Sequence, residues 1–232
     1  MTPLLSYELR DGIATISMDD GKSNVLSAGM FTEINRALDR AAADQAVVVL
    51  SGREGVFSAG FDLRVLGAGG TDAYTMVRTG FELSERLLSS PVPVVIACTG
   101  HAIAMGAFLL LSGDYRVGAA GPYRIGANEV AIGITMPFFG IEICRQRLAP
   151  AHFHRAVINA EIYRPEDAVV AGFLDRVVPG GDVPAVAHAV ASDLTKLDIG
   201  VHTATKLRAR AHALEAIRAA IAADDAAFRA IA

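Results

Sequence analysis

Apolar and polar residues alternate through "YELRDGIATISMDD", residues 7–20, and Asp11-Gly12 interrupts the alternation at its centre. A period of two is that of a half-buried strand, and Asp-Gly is a two-residue turn signal, so the segment predicts a β-hairpin. The period then lengthens. From Ser27 to Ala43, Phe31, Ile34 and Leu38 fall on one helical face, with Ser27 placed as N-cap. "AVVVLSG" is a short run without alternation, the pattern of a strand buried on both faces. A glycine-rich stretch, "GREGVFSAGFDL", is expected as a loop, and a second helix is expected over 71–88. "VPVVIACTG" repeats the buried-strand pattern, "AMGAFLLLSGD" is expected as a helix and "YRVGAA" as a strand.

Strands alternating with helices predict an α/β architecture with parallel pairing, although no sequence repeat of fixed period is present. From Pro150 the pattern is mostly helical. Pro165 stands at one helix start and Gly172 near its end, "FLDRVV" offers a last short strand, and Val201 to Ala232 is Ala- and Arg-rich with helical spacing. The expected organisation is a core over residues 1–180 and a C-terminal helical region over 181–232, packed on its own core or on a neighbouring subunit.

Composition narrows the class. With 52% apolar residues and a net charge of −4, the chain can bury a large core and offers no basic run for nucleic acid. Its longest apolar runs are too short to span a bilayer, so no membrane partner is expected. "MTPLLSYELRDG" has neither a basic segment nor a long apolar one, so a secretory signal is not expected and a cytoplasmic location is. Cys98 and Cys144 sit in apolar surroundings without metal-ligand spacing, as buried free thiols would. The His152/His154 pair, two apart before a helix, has the pattern of surface residues, and no recognised metal motif includes it.

Two glycine turns each follow a buried strand, in "VVVLSG…FSAGFDL" and "PVVIACTGHAIAMGAF". Backbone N–H groups converging from two such turns would stabilise negative charge on a carbonyl oxygen. Ordinary strand-to-helix turns would show the same spacing. Neither turn fits a nucleotide-binding glycine fingerprint, and no G-x-S-x-G nucleophile elbow is present. Further on, "YRIGANEVAIGITMPFFGIE" carries one charged residue between Arg124 and Glu142, namely Glu129. A carboxylate in such company is costly unless paired or protonated. It is either a poised base or a loop carboxylate turned to solvent.

"GREGVFSAGFDL", "ACTGHAIAMGAFLLLSGDYRVGA" and "YRIGANEVAIGITMPFFG" together resemble the crotonase (enoyl-CoA hydratase/isomerase) superfamily, and "PEDAVVAGFLDRVVP" resembles its downstream segment. The resemblance covers about Leu4 to Pro179. It implies a ββα spiral of stacked turns with a C-terminal helical trimerisation region, and assembly as a homotrimer or hexamer. The implied ligand is an acyl-CoA thioester whose oxygen sits between the N–H groups of Phe61 and Met105. The implied CoA contacts are Lys22, Ser23 and Asn24 together with Ala59, Asp62, Leu63 and Arg64. Coenzyme A is part of the substrate, and no metal or redox cofactor is implied.

Hydratases of this superfamily use two glutamates. One matches Glu129; the other position is held here by Phe108, in "MGAFLLL", which cannot move protons. The pattern is closest to that of mitochondrial-type Δ3,Δ2-enoyl-CoA isomerases. The expected activity is therefore a shift of a 3-enoyl-CoA double bond to the 2-position, with Glu129 as the single base and Phe108 as part of the acyl wall. A non-catalytic acyl-CoA-binding homologue and a one-glutamate hydratase are the alternatives. Glu142 is expected on a helix surface within reach of Arg145 and Gln146. Asp62 and Asp114 are expected as structural hydrogen-bond acceptors. Phe138 and Phe139 suit either the core or the acyl wall.

Overall fold

The structure, a computed structural model, describes residues 3–231. The predicted hairpin is β1 (Leu5–Arg10) and β2 (Ile13–Met18), antiparallel, with Leu5 opposite Met18. Asp11 (φ 51°) and Gly12 (φ 74°) are both left-handed, the geometry that matches the strand twist in a two-residue turn. After the two-residue strand β3 (Val25–Leu26) comes α1 (Ala28–Ala43), and the Ser27 side chain accepts from Met30 N–H as its N-cap. The next strands are β4 (Val47–Ser51), β5 (Gly55–Ser58) and β6 (Gly60–Phe61), followed by the short helix α2 (Leu63–Ala68) and the long α3 (Gly70–Leu88).

The stretch "GREGVFSAGFDL" is thus not a plain loop. Val25–Leu26 pairs in parallel with Gly60–Phe61, and Gly55 to Ser58 pairs with a strand yet to come. These partners are distant in sequence, so the local glycine content hides them.

The remaining elements are β7 (Val94–Cys98), β8 (Gly100–Ile103), α4 (Met105–Leu111), β9 (Tyr115–Ala119), β10 (Ile125–Gly126), α5 (Phe138–Arg145), α6 (Pro150–Val157), α7 (Pro165–Ala171), β11 (Arg176–Val178), α8 (Val183–Leu194), α9 (Ile199–Ala209) and α10 (Ala211–Ile231). One sheet has the order β1-β2-β4-β7-β9-β11, and a smaller one the order β10-β8-β5. Each turn of the chain therefore adds one strand to the large sheet, one to the small sheet and then a helix. β4, β5 and α3 make one such turn; β7, β8 and α4 the next; β9, β10 and α5 the third. The turns stack as a ββα spiral, as expected.

Both faces of the large sheet are buried, which explains why its central strands lack alternation. Ile16, Val48, Leu50, Val94 and Ile96 face the core beneath α1, α3, α4 and α5. Ile13, Val47, Val49, Val95 and Val117 face outward and are covered by Val183, Ala187 and Ala191, which are spaced by four on α8. Pro165 opens α7 and Gly172 (φ 98°) closes it. The histidine pair lies within α6 rather than before a helix: His154 is exposed, but His152 is half-buried with its ring 5.7 Å from Tyr163. Both cysteines are free and buried. Among the described residues no helix is long and apolar enough to cross a membrane.

The long C-terminal helix α10 packs on α3 and α5 of its own chain. Arg78 of α3 pairs with Asp225 at 2.5 Å, Arg218 with Glu85 at 2.6 Å, and Tyr74 meets Phe228 edge-on. α9 is anchored deeper. Lys206 Nζ donates to Asp114 Oδ2 at 2.8 Å and to Val92 C=O at 3.0 Å, and Arg210 joins Asp114 at 2.8 Å. Asp114 also accepts Val94 N–H at 2.8 Å, so it acts as the structural acceptor expected of it.

Candidate active site

The small sheet sets the site. Parallel pairing of β5 and β10 on either side of β8 aligns Ser58 with Ala102 and Gly126 with Ile103. The segments that leave these strands, 59–61, 104–106 and 127–129, therefore emerge side by side. Their backbones touch. A Cβ on Gly60 (φ 91°) would lie 3.0 Å from Ile103 C=O and 3.3 Å from Met105 N, and one on Gly106 would lie 2.4 Å from Ser58 C=O. Only glycine allows the first two turns to approach this closely. Ala104 N–H donates to Gly126 C=O at 3.1 Å, which ties the second segment to the third.

Phe61 and Met105 stand at these turns. The Phe61 ring leans on Gly80 and meets Phe31 and Phe81 edge-on, both at 6.2 Å between centroids. Its backbone is thereby held from the side-chain end. Ala104 adopts φ 52°, ψ −126°, a conformation that L-residues avoid, and it swings the chain into α4. The Ala104 carbonyl accepts from Ala107 and Phe108, while Met105 heads the helix, where an N–H has no intrahelical acceptor. The Met105 side chain is wholly buried in the core.

A rim forms beside the first turn. Ala59 N–H donates to Ser23 C=O at 3.0 Å, which brings residues 22–24 against 59–61. Lys22, Ala59, Leu63 and Arg64 are exposed, and Ser23 is half-buried. Arg64 pairs with Asp62 at 3.1 Å, and Asp62 caps α2 through Arg64 N–H, so this acid too is a structural acceptor.

Asn24 has a task inside the protein. It is fully buried, its amide donates to Met18 and Phe57 carbonyls at 3.0 and 3.2 Å, and its backbone carbonyl accepts from Ser58 Oγ at 2.8 Å. Ser58 Oγ in turn accepts Gly60 N–H at 3.1 Å. Burial pushes the Asp20 carboxyl up, but N–H groups of Val25, Asn24 and Lys22 outweigh it and hold the group below its usual range. Through this chain of bonds Asn24 and Asp20 position the rim and the first turn, while Ser58 links the two.

Glu129 starts a single 3-10 turn, Val130–Ile132, and its carbonyl accepts from Ile132 and Ile134. The side chain does not turn to solvent. It is 7% exposed, and its Oε2 has no hydrogen-bond partner among the described residues. Burial pushes its pKa up to about 7, against a small opposing pull from its own backbone N–H. Cys144 of α5 lies close enough that burial first, and then the Glu129 charge, raise its thiol pKa. Gly140, one helical turn before Cys144, packs against the Phe108 ring. Residues four apart share a helix face, so the face of α5 that meets Phe108 also carries Cys144, which feels the Glu129 charge.

Phe108 is 1% exposed and edge-on to Phe139, with centroids 5.8 Å apart; Phe139 stacks on Phe81 at 4.2 Å. Phe139 therefore belongs to the core, whereas Phe138 is 53% exposed. Glu142 pairs with Arg145 at 3.3 Å on the outer side of α5.

Sequence reasoning named the turns and Glu129 but gave Cys144, Gly140 and Ser58 no part in the site. The only available signal for Cys144 was its apolar setting. A surface cleft of about 520 Å³, bounded by Thr15, Ser51, Thr99, Tyr123 and His188, opens on the outer face of the large sheet and contains none of these residues. Among the described residues no group of three or more His, Cys, Asp or Glu side chains is disposed to hold a metal.

Comparison with known proteins adds four findings. The sequence profile described as "Enoyl-CoA hydratase/isomerase" matches residues 8–231. "Enoyl-CoA delta isomerase 1, mitochondrial" of Mus musculus is 32% identical over 192 residues, covering 81% of this chain and 66% of that protein. The chain thus spans just under two thirds of that relative's length. Among solved structures, enoyl-CoA hydratase EchA3 from Mycobacterium ulcerans is 50% identical with a TM-score of 0.94, over 97% of this chain and 99% of its own. Human mitochondrial delta3-delta2-enoyl-CoA isomerase is 27% identical with a TM-score of 0.90, over 98% and 91%.

Proposed function

We propose, from the premise that the chain belongs to the enoyl-CoA hydratase/isomerase family, that it isomerises a 3-enoyl-CoA to the conjugated 2-enoyl-CoA with Glu129 as its single base. One observation carries this reading. Glu129 is a buried carboxyl whose Oε2 has no hydrogen-bond partner among the described residues and whose pKa is pushed up to about 7; the buried Phe108 stands, by the family resemblance, where hydratases carry a second acid.

The thioester oxygen would sit between the N–H groups of Phe61 and Met105, with CoA along the rim of Lys22, Ser23, Ala59, Asp62, Leu63 and Arg64. The Glu129 carboxylate removes a proton from C2. The C2–H electron pair becomes a C1–C2 double bond as the thioester C=O pair moves onto oxygen, so the dienolate charge rests there, where each N–H donor is worth about 10²–10³ in rate. Protonated Glu129 returns the proton at C4: the oxygen pair re-forms C=O, the C1–C2 pair moves to C2–C3, and the C3–C4 pair takes the proton. The C3–C4 double bond becomes C2–C3, and base and oxyanion donors end as they began. Atoms and electrons balance within the substrate, so the reaction calls for no oxidant, metal or water.

A base with a pKa near the working pH suits both halves of this transfer. Hydration has a different requirement. Water must be activated and a proton delivered to the other carbon, and an aromatic ring at Phe108 can do neither. The name hydratase borne by the EchA3 relative is therefore not carried over.

The test is incubation with a 3-enoyl-CoA, followed by absorbance of the conjugated thioester and product mass. An isomer of unchanged mass is expected, and Glu129→Gln should lower kcat by about 10²–10⁴. A product heavier by one water, or full activity in Glu129→Gln, would overturn the proposal. Tight thioester binding without turnover would instead favour a binding protein.

A further inference from the structure

We infer that α5 shields the buried Glu129 from water, and that Asp224 on α10, whose carboxylate holds the N-terminus of α5, is a positioning residue for Glu129. The inference deepens the isomerase reading and takes its kinetic meaning from it.

Asp224 is 7% exposed, and both of its oxygens are engaged: Oδ1 accepts Phe138 N–H at 2.9 Å and Oδ2 accepts Phe139 N–H at 2.8 Å. These are the first two N–H groups of α5, for which the helix has no internal acceptor. Pro137, at the N-cap position, makes no side-chain capping bond, so the cap comes from another helix, 86 and 85 residues further along the chain than the two donors. The anion also complements the positive end of the helix.

α5 links this cap to the site. Phe139, beside the cap, packs on Phe108 and Phe81; Gly140 touches Phe108 and Met136; Cys144 lies in the field of the Glu129 charge. If the N-terminus of α5 lifts, water reaches the carboxyl whose raised pKa depends on its exclusion.

The neighbouring acid provides a control. Asp225 points the other way, to Arg78 of α3. It fastens the same helix, α10, to α3. The groups facing Asp224 are Asp225 on its own helix and the two N–H groups of α5. Those facing Glu129 are the Cys144 thiol and its own N–H.

The experiment follows the side-chain carboxyl of Glu129 by carbon-13 NMR in protein labelled at glutamate Cδ, with the Glu129 signal assigned by its loss in Glu129→Gln. It needs no substrate, so it stands even if the isomerase reading fails. In the wild type the midpoint is expected at about 7. In Asp224→Asn it should fall by roughly one unit or more toward the ordinary glutamate value of about 4.3. In Asp225→Asn it should stay. If Asp224→Asn does not fold, Phe138→Pro replaces it. Proline is tolerated at the first position of a helix and removes one of the two donors, so a smaller shift of the same sign is expected. An unchanged midpoint in a folded variant, or an equal shift in Asp225→Asn, would overturn the inference.

Discussion

At Glu129 the protein keeps an ionisable group where its charged form is poorly solvated. The pKa rises from 4.5 to about 7, and each unit corresponds to about 1.4 kcal/mol, so the cost of the charge is on the order of 3 kcal/mol. The sign follows from linkage. A raised folded-state pKa leaves the native state unpenalised below the unfolded value, and stability is lost as pH rises through the folded value. Relative to Glu129→Gln, the wild type should therefore lose about 3 kcal/mol between pH 4 and pH 8 in urea unfolding. Equal pH dependence in the two proteins would mean that the carboxyl is solvated. Phe108 behaves as packing, since Phe108→Ala should cost about 3–5 kcal/mol in the same assay. The sequence isolates Glu129 among apolar neighbours and puts Phe108 in place of an acid. It does not show that Cys144 comes within range of the Glu129 charge or that Asp224 caps α5, because only tertiary packing brings these segments together.

Elements with a local cause were legible. The Asp11-Gly12 hairpin, α1 with its Ser27 cap, and α7 between Pro165 and Gly172 each carry their signal within a few residues. The pairing of Val25–Leu26 with Gly60–Phe61 has no such signal, and the stretch around it passes for a loop. The close contact between the first two turns depends on that pairing and on two glycines. Gly60→Ala would place a Cβ 3.0 Å from Ile103 C=O at φ 91°, so the turns must separate. The expected result is a fall in kcat of about 10²–10³, from misplaced oxyanion donors, with the Glu129 titration unmoved. A parallel fall in that pKa would show that the turns and the base are not independent.

Over the whole molecule, the ββα spiral brings segments 59–61, 104–106 and 127–129 from three successive turns side by side, and the C-terminal helices pack on the core. That packing rests on charges the pattern could not pair: Lys206 and Asp114 are 92 residues apart and both nearly buried. Burial pulls the Lys206 pKa down while Asp114 holds it up. Lys206→Ala should cost about 3–5 kcal/mol, as removal of one partner from a buried pair does, whereas Arg64→Ala on the exposed rim should change stability by less than about 0.5 kcal/mol. Comparable small effects for both would mean that α9 is only loosely held.

The central claim is that one buried carboxyl moves the proton. Its most direct measurement is kcat/KM for a 3-enoyl-CoA against pH, in the wild type and in Glu129→Gln. Because only the carboxylate can take the C2 proton, the wild-type rate should rise through an inflection near pH 7 and then level, and the variant should show no such limb. An inflection near 4.5, or a variant that keeps the limb and the rate, would contradict the account.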